Sequence, residues 1–275
     1  MLKQRIAVAA IGLLVIIPVV WFVHPWLFSL LIAAAALIGT FEFYRLVTNC
    51  GKGHPLIYFG LFWALALALS PHYQNFSVLN VDVLPLAMTL PIVISLAWLL
   101  YRSPQEEAFR SWAWTVAGVL YVGWMLSYWL NLDILVDGRN WVYLALFSTF
   151  ANDTGAFFVG RARGKHPLAP AISPGKTWEG VLSGLLSAIA AAIIVFTILN
   201  LISPFSVEYW QLIILGFLVS LFAQFGDLVE SLLKRNMGVK ESGKLLPGHG
   251  GALDRLDSLI FVGVVVYYYV IWVVA

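Results

Sequence analysis

The sequence predicts an all-α fold: a polytopic integral membrane protein of about nine transmembrane helices. Three observations predict it. Of the 275 residues, 61% are hydrophobic and only 11% charged, with mean hydropathy +0.88. A soluble globule carries about 25% charged residues, so this chain could not cover its surface in water. Disorder is excluded by the same numbers, because it needs low hydrophobicity. Second, the apolar residues form continuous runs near the ~20 residues that cross a bilayer, unlike the alternating short strands of an outer-membrane barrel. Third, the basic residues fall almost entirely on one side of those runs.

Taken in order, the first run, 6–23, follows Lys3 and Arg5 and has the look of a signal peptide. No small-x-small cleavage site follows it, so it reads as a retained helix. The next runs are 25–44, 56–71, 81–101, 111–131 and 140–160; the run at 56–71 is short and begins after Pro55. The last three are 179–201, 208–228 and 257–274. With a cytoplasmic N-terminus and nine alternating spans, Arg139 is the one basic residue outside, leaving 15 of the 16 inside. Asp82, Asp133, Asp137 and Glu208 fall outside. This is the positive-inside pattern, and one miscounted helix would scramble it.

Other classes are closed off. A net charge of +2 is too small to capture nucleic acid electrostatically. The single cysteine, Cys50, excludes an internal disulfide and a cysteine zinc site. Residues 1–140 read as scaffold helices suited to lipid access or dimer contacts. Residues 141–275 hold most of the unusual polar groups and are the expected catalytic part.

Those polar groups need an account, because ionisable residues in hydrocarbon are costly. Gln224, Asp227 and Ser231 share one helical face near the inner end of the eighth span. Hydrogen-bonded helix glue would explain the amide and hydroxyl but suits a carboxylate poorly. Ser148, Asn152, Asp153 and Thr154 form a second cluster, and Gly155 beside them permits close approach. The following loop carries Arg161, Arg163, Lys165 and Lys176, then Ser173-Pro174-Gly175-Lys176-Thr177 ahead of a helix. This is similar to a phosphate loop but lacks its first glycine. What survives is phosphate binding by a helix N-terminus and Lys176, set against simple attraction of the loop to anionic lipid. Asp254 and Asp257 open the last helix on one face. With Asp227 they would make a hard, oxygen-only site suited to Mg²⁺, and neighbouring cations suit a polyphosphate. His249, between glycines, is open to a catalytic role or to binding backbone or phosphate.

From Ser231 to Asp257 the chain resembles the phosphatidate cytidylyltransferases, the CDP-diacylglycerol synthases of bacterial membranes. Their pattern is S-x-x-K-R, four residues, K-D, then P-x-H-G-G, two residues, D-R-x-D. Ser231, Lys234, Arg235, Lys240, Pro247, His249, Gly250, Gly251, Asp254, Arg255 and Asp257 match it without a gap. Glu241 stands where Asp is usual and Ala252 where a larger apolar residue is usual. The likeness continues less sharply through FGDLVES, SPGKTWEG and NDTGAFFVG, and in the N-terminal half only through GTFEFYRL around Glu42.

The resemblance implies transfer of a cytidylyl group from CTP to phosphatidate, giving CDP-diacylglycerol and pyrophosphate. It also implies a homodimer in the bacterial cytoplasmic (inner) membrane, a cytoplasm-facing site, and dependence on Mg²⁺, with a second cation as a further option. The catalytic set is then Asp227, Asp254, Asp257, Lys234 and Arg235, with the three aspartates as metal ligands. Substrate binding falls to Ser173, Lys176, Ser231, Lys240, His249, Gly250, Gly251, Arg255, Asn152 and Asp153. Two rival readings stay open: a CTP-dependent polyprenol kinase, whose alcohol nucleophile needs a base, and a transporter of anionic lipid or nucleotide.

Overall fold

The computed structural model describes residues 25–73, 75–78, 81–101, 105–243 and 250–274. Apolar helices occur at every predicted position from the second span onward; the first, 6–23, lies outside the described residues. The chain runs through α1 (Pro25–Asn49), α2 (Ile57–Ala68), α3 (Val83–Leu99), α4 (Gln105–Gly118) and α5 (Met125–Asp133), the last two joined by π-helical Val119–Trp124. Then come α6 (Gly138–Arg163), α7 (Trp178–Ile202), α8 (Tyr209–Asn236) and α9 (Leu253–Tyr269), which ends in π-helical Val270–Val274.

Among the described residues six helices are long and apolar enough to cross a membrane, fewer than the nine expected. Two apolar helices fall short, α2 with 12 residues and α3 with 17. Proline accounts for much of this. Pro55 and Pro71 bound α2, and Pro91 inside α3 removes one ladder hydrogen bond. The architecture is mostly helical, as expected, and two short antiparallel ladders accompany the helices. Ser77–Val78 (β1) pairs with Val81–Asp82 (β2), and Pro167–Ala169 (β3) with Ser173–Thr177 (β4). The second occupies the stretch read from sequence as an irregular loop.

The chain forms two compact units, one of residues up to Leu130 with Met237–Leu256, the other of Asn131–Asn236 with Asp257 onward. In the first, Tyr44 on α1 is fully buried and its hydroxyl donates to the Thr115 carbonyl at 2.7 Å. A side chain at Gly60 on α2 or Gly118 on α4 would strike the Tyr44 ring, so these glycines create its slot. Trp63, Ala64, Leu67 and Val119 form a small buried core beside it.

In the second unit α6, α7 and α8 pack closely because small residues line their contacts. A Cβ on Gly184 (α7) would lie 2.7 Å from Asn152 Oδ1 (α6), and one on Gly216 (α8) 2.6 Å from the Ile189 Cα. Away from these seams α7 exposes Leu182, Leu186, Ile194 and Ile198, which suits a lipid-facing surface.

Candidate active site

The polar groups of the second unit gather in the C-terminal halves of α6 and α8, around the β3–β4 hairpin. The hairpin is fastened to the start of α7. Glu179, in the first turn, accepts from the Lys165 and His166 backbone N–H groups at 3.1 and 3.3 Å and pairs with His166 Nδ1 at 2.6 Å. Thr177 caps the helix, its Oγ1 accepting from Gly180 N at 3.2 Å. Gly160, Gly164 and Gly180 let hairpin and helices close up; a Cβ on Gly164 would lie 2.7 Å from Thr177 Cγ2.

This framework carries Lys176 to α8, where its Nζ lies 2.8 Å from Asp227 Oδ2. Ser231, one turn on, donates to Asp227 Oδ1 at 3.3 Å, as the predicted shared face requires. Fully buried Glu230 forms an ion pair with Lys234 four residues later. Arg235 donates through Nε to the Ile172 carbonyl at 3.1 Å, tying the end of α8 to the hairpin turn. On α6, Asn152 donates to Asp153 Oδ1 at 3.0 Å and accepts from Ser220 on α8 at 2.7 Å.

Asp257 belongs to the same electrostatic cluster. It is influenced by the negative charges of Asp227, Glu230 and Asp153, in that order, and its Oδ1 accepts from Ser258 N at 2.7 Å. A Cβ on Gly226 would collide with the Asp257 carbonyl, so α8 and α9 touch backbone to backbone here. Of the predicted residues, Lys176, Asp227 and Ser231 are thus in direct contact, Asp257 feels the charges of Asp227 and Asp153, and Ser173 pairs with Ala169 in the hairpin. Among the described residues no three His, Cys, Asp or Glu side chains converge at metal-ligand geometry.

The remaining predicted residues lie in the first unit. Asp254 Oδ2 accepts from Ser242 N at 3.1 Å and Gly251 N at 2.8 Å, closing the turn that precedes α9. Gly250 holds a φ of +80°, which a residue with a side chain rarely adopts. Lys240 and Arg255 are exposed, and His249 lies outside the described residues. Sequence reasoning passed over Glu42, Glu179, Ser220, Glu230 and Ser242. A signal existed for two of them: Glu230 precedes Lys234 at the helical i, i+4 spacing, and Glu42 is a carboxylate inside an apolar helix.

Comparison with known proteins extends these observations. The model of the Cytidylyltransferase family matches residues 3–273. A Staphylococcus haemolyticus protein named phosphatidate cytidylyltransferase is 34% identical over 265 residues, 95% of this chain and 96% of its own length. The Bacillus subtilis protein of that name is 32% identical over 268 residues, 97% of both chains. Phosphatidate cytidylyltransferase 4, chloroplastic, of Arabidopsis thaliana is 33% identical over 298 residues, covering 98% of this chain and 73% of its own.

Proposed function

Because the chain belongs to the Cytidylyltransferase family, we propose that it transfers the cytidylyl group of CTP to phosphatidate, forming CDP-diacylglycerol and releasing pyrophosphate. The observation that carries this reading is the grouping of Lys176, Lys234 and Arg235 with the acidic cluster of Asp153, Asp227, Glu230 and Asp257. A phosphate oxygen of phosphatidate attacks the α-phosphorus of CTP, and the bond to the β-phosphate oxygen breaks as pyrophosphate leaves. The attacking phosphate monoester has a second pKa of about 6 and arrives ionised, so no general base is required. Catalysis then reduces to alignment and charge neutralisation.

Lys176, held against Asp227 by the hairpin, is placed to exchange its carboxylate partner for a phosphate oxygen. Arg235, fastened through Nε to the Ile172 carbonyl, brings its guanidinium charge to the hairpin turn. Asn152, fixed by Ser220 and Gly184, orients Asp153.

The donor set suits a hard divalent cation. Asp227 is part-exposed, its second oxygen meets only a long 3.3 Å hydroxyl contact, and Asp257 is close enough to share charge with it. We assign Mg²⁺ to Asp227 and Asp257; bound there, it would neutralise charge on the leaving pyrophosphate. Asp254 Oδ2 also accepts from Ser242 N and Gly251 N in the turn before α9. The proposal includes a homodimer in the bacterial inner membrane with the site facing the cytoplasm.

The test is purified protein with labelled CTP and phosphatidate, with and without Mg²⁺, read as lipid-bound label. CDP-lipid and pyrophosphate are expected. Release of CDP with phosphorylation of a lipid alcohol would identify a kinase instead. Solute movement across proteoliposomes without product would identify a transporter.

A further inference from the structure

We propose that Glu42 is a positioning residue for the proposed cytidylyl transfer, acting through the turn before α9 and the first turn of that helix. It lies on α1, is 6% exposed, and none of the chemistry above uses it. Its Oε2 accepts from Leu253 N at 2.9 Å and from Ser242 Oγ at 3.4 Å. Two carboxylates therefore grip one turn: Asp254 takes the N–H groups of Ser242 and Gly251, and Glu42 takes the Ser242 hydroxyl and the Leu253 N–H.

The local sequence explains why a distant residue is needed. The first N–H groups of a helix have no intrahelical acceptor. Ala252, which precedes α9, has no side chain able to supply one. Glu42 supplies it from α1, and its negative charge also suits a helix N-terminus. The site is built around the carboxylate. A Cβ on Gly243 would lie 2.7 Å from Glu42 Oε1, and one on Gly251 would lie 2.5 Å from Oε2 and collide with Ser242 Oγ. Gly39, one turn earlier on α1, is packed against Leu256, where a Cβ would lie 3.2 Å from Cδ1. Burying a carboxylate is costly unless hydrogen bonds compensate, and an apolar residue would pack on α1 at no such cost. What the carboxylate secures is the register of the turn bearing Asp254, with Asp257 one turn farther along the helix.

This inference rests on the reaction proposed above, and its test separates the two. Hydrogen–deuterium exchange and steady-state kinetics are compared for wild type, Glu42→Ala and Glu42→Gln. Glu42→Ala should speed exchange of the amides at 242 and 251–254 and lower kcat by about ten- to a hundredfold, the scale of a ~1 Å misplacement. KM for CTP should move by less than about threefold, because Lys176 and Arg235 lie on other elements and keep their places. Glu42→Gln retains a carbonyl oxygen for Leu253 N–H and should recover most of both. Unchanged exchange in Glu42→Ala, or faster exchange with wild-type kcat, would overturn the proposal; so would a Gln variant as impaired as Ala. If the Ala variant does not fold, Glu42→Asp, which withdraws the carboxylate by one methylene, carries the same expectations. A wild-type protein that forms no CDP-lipid would overturn the reaction, while the exchange data would still decide whether Glu42 clamps the turn.

Discussion

Lys176 Nζ and Asp227 Oδ2 lie 2.8 Å apart, joining a β-hairpin to the C-terminal half of the site helix α8. The side chains are 21% and 38% exposed, so the pair contributes little to stability by itself. Its interest lies in placement: a lysine ammonium rests on the carboxylate assigned to the metal.

Removing either partner should therefore affect turnover far more than folding. Lys176→Ala should cost about 1.5–3 kcal/mol of transition-state binding, or roughly 10- to 150-fold in rate. Asp227→Asn keeps the shape, removes the charge, and should nearly abolish turnover while weakening the response to Mg²⁺. An Asp227→Asn enzyme with unchanged rate and metal requirement would move the metal elsewhere, with Asp153 the next candidate.

Glu230 and Lys234 should show in stability as well as in turnover. Glu230 has no exposed surface and Lys234 is 13% exposed, so deleting the lysine takes a countercharge away from a buried carboxylate. Lys234→Met should destabilise the protein by about 3–5 kcal/mol, and Lys234→Met with Glu230→Gln should recover much of that. Thermal unfolding in detergent measures both; equal melting temperatures for wild type and Lys234→Met would refute the pairing's structural role.

Gly184→Ala tests the seam between α6 and α7. Its methyl would press on Asn152 Oδ1, which holds Ser220, so Asp153 should shift with its neighbour. Overpacking of this kind costs about 1–3 kcal/mol, and activity should fall with it. Full activity at wild-type stability would show that the seam can yield.

Accessibility labelling tests the orientation. Cysteines replacing exposed Phe76 or Val136 should react from outside the cell, and those replacing Ala162 or Lys240 should not. Ser242 is a poor probe because it is buried. External reaction at position 240 would reverse the proposed topology.

Composition and charge made the membrane class and the positions of the long helices legible, because both depend on local hydropathy. The helical face of Asp227 and Ser231 was legible for the same reason: i, i+4 spacing is local geometry. The hairpin at 167–177 was not, since its proline- and glycine-rich strands carry no alternation. Nor was the partner of Lys176, or the turn held by Glu42. These depend on atoms brought together across long stretches of chain, and residue type alone does not say which carboxylate meets which donor.

At 28 residues, α8 is about 42 Å long, against a hydrocarbon core of about 30 Å. Even at a tilt of about 20° it overshoots by roughly two turns. With the predicted apolar run ending at 228, the overshoot carries Glu230, Ser231, Lys234 and Arg235. These groups then stand at the depth of phospholipid headgroups. A phosphatidate molecule need not be lifted from its leaflet to present its phosphorus; it arrives by sideways diffusion, while the nucleotide comes from the aqueous side. Encounter with the lipid becomes a two-dimensional search, so the rate should follow the mole fraction of phosphatidate in the surface and not its bulk concentration.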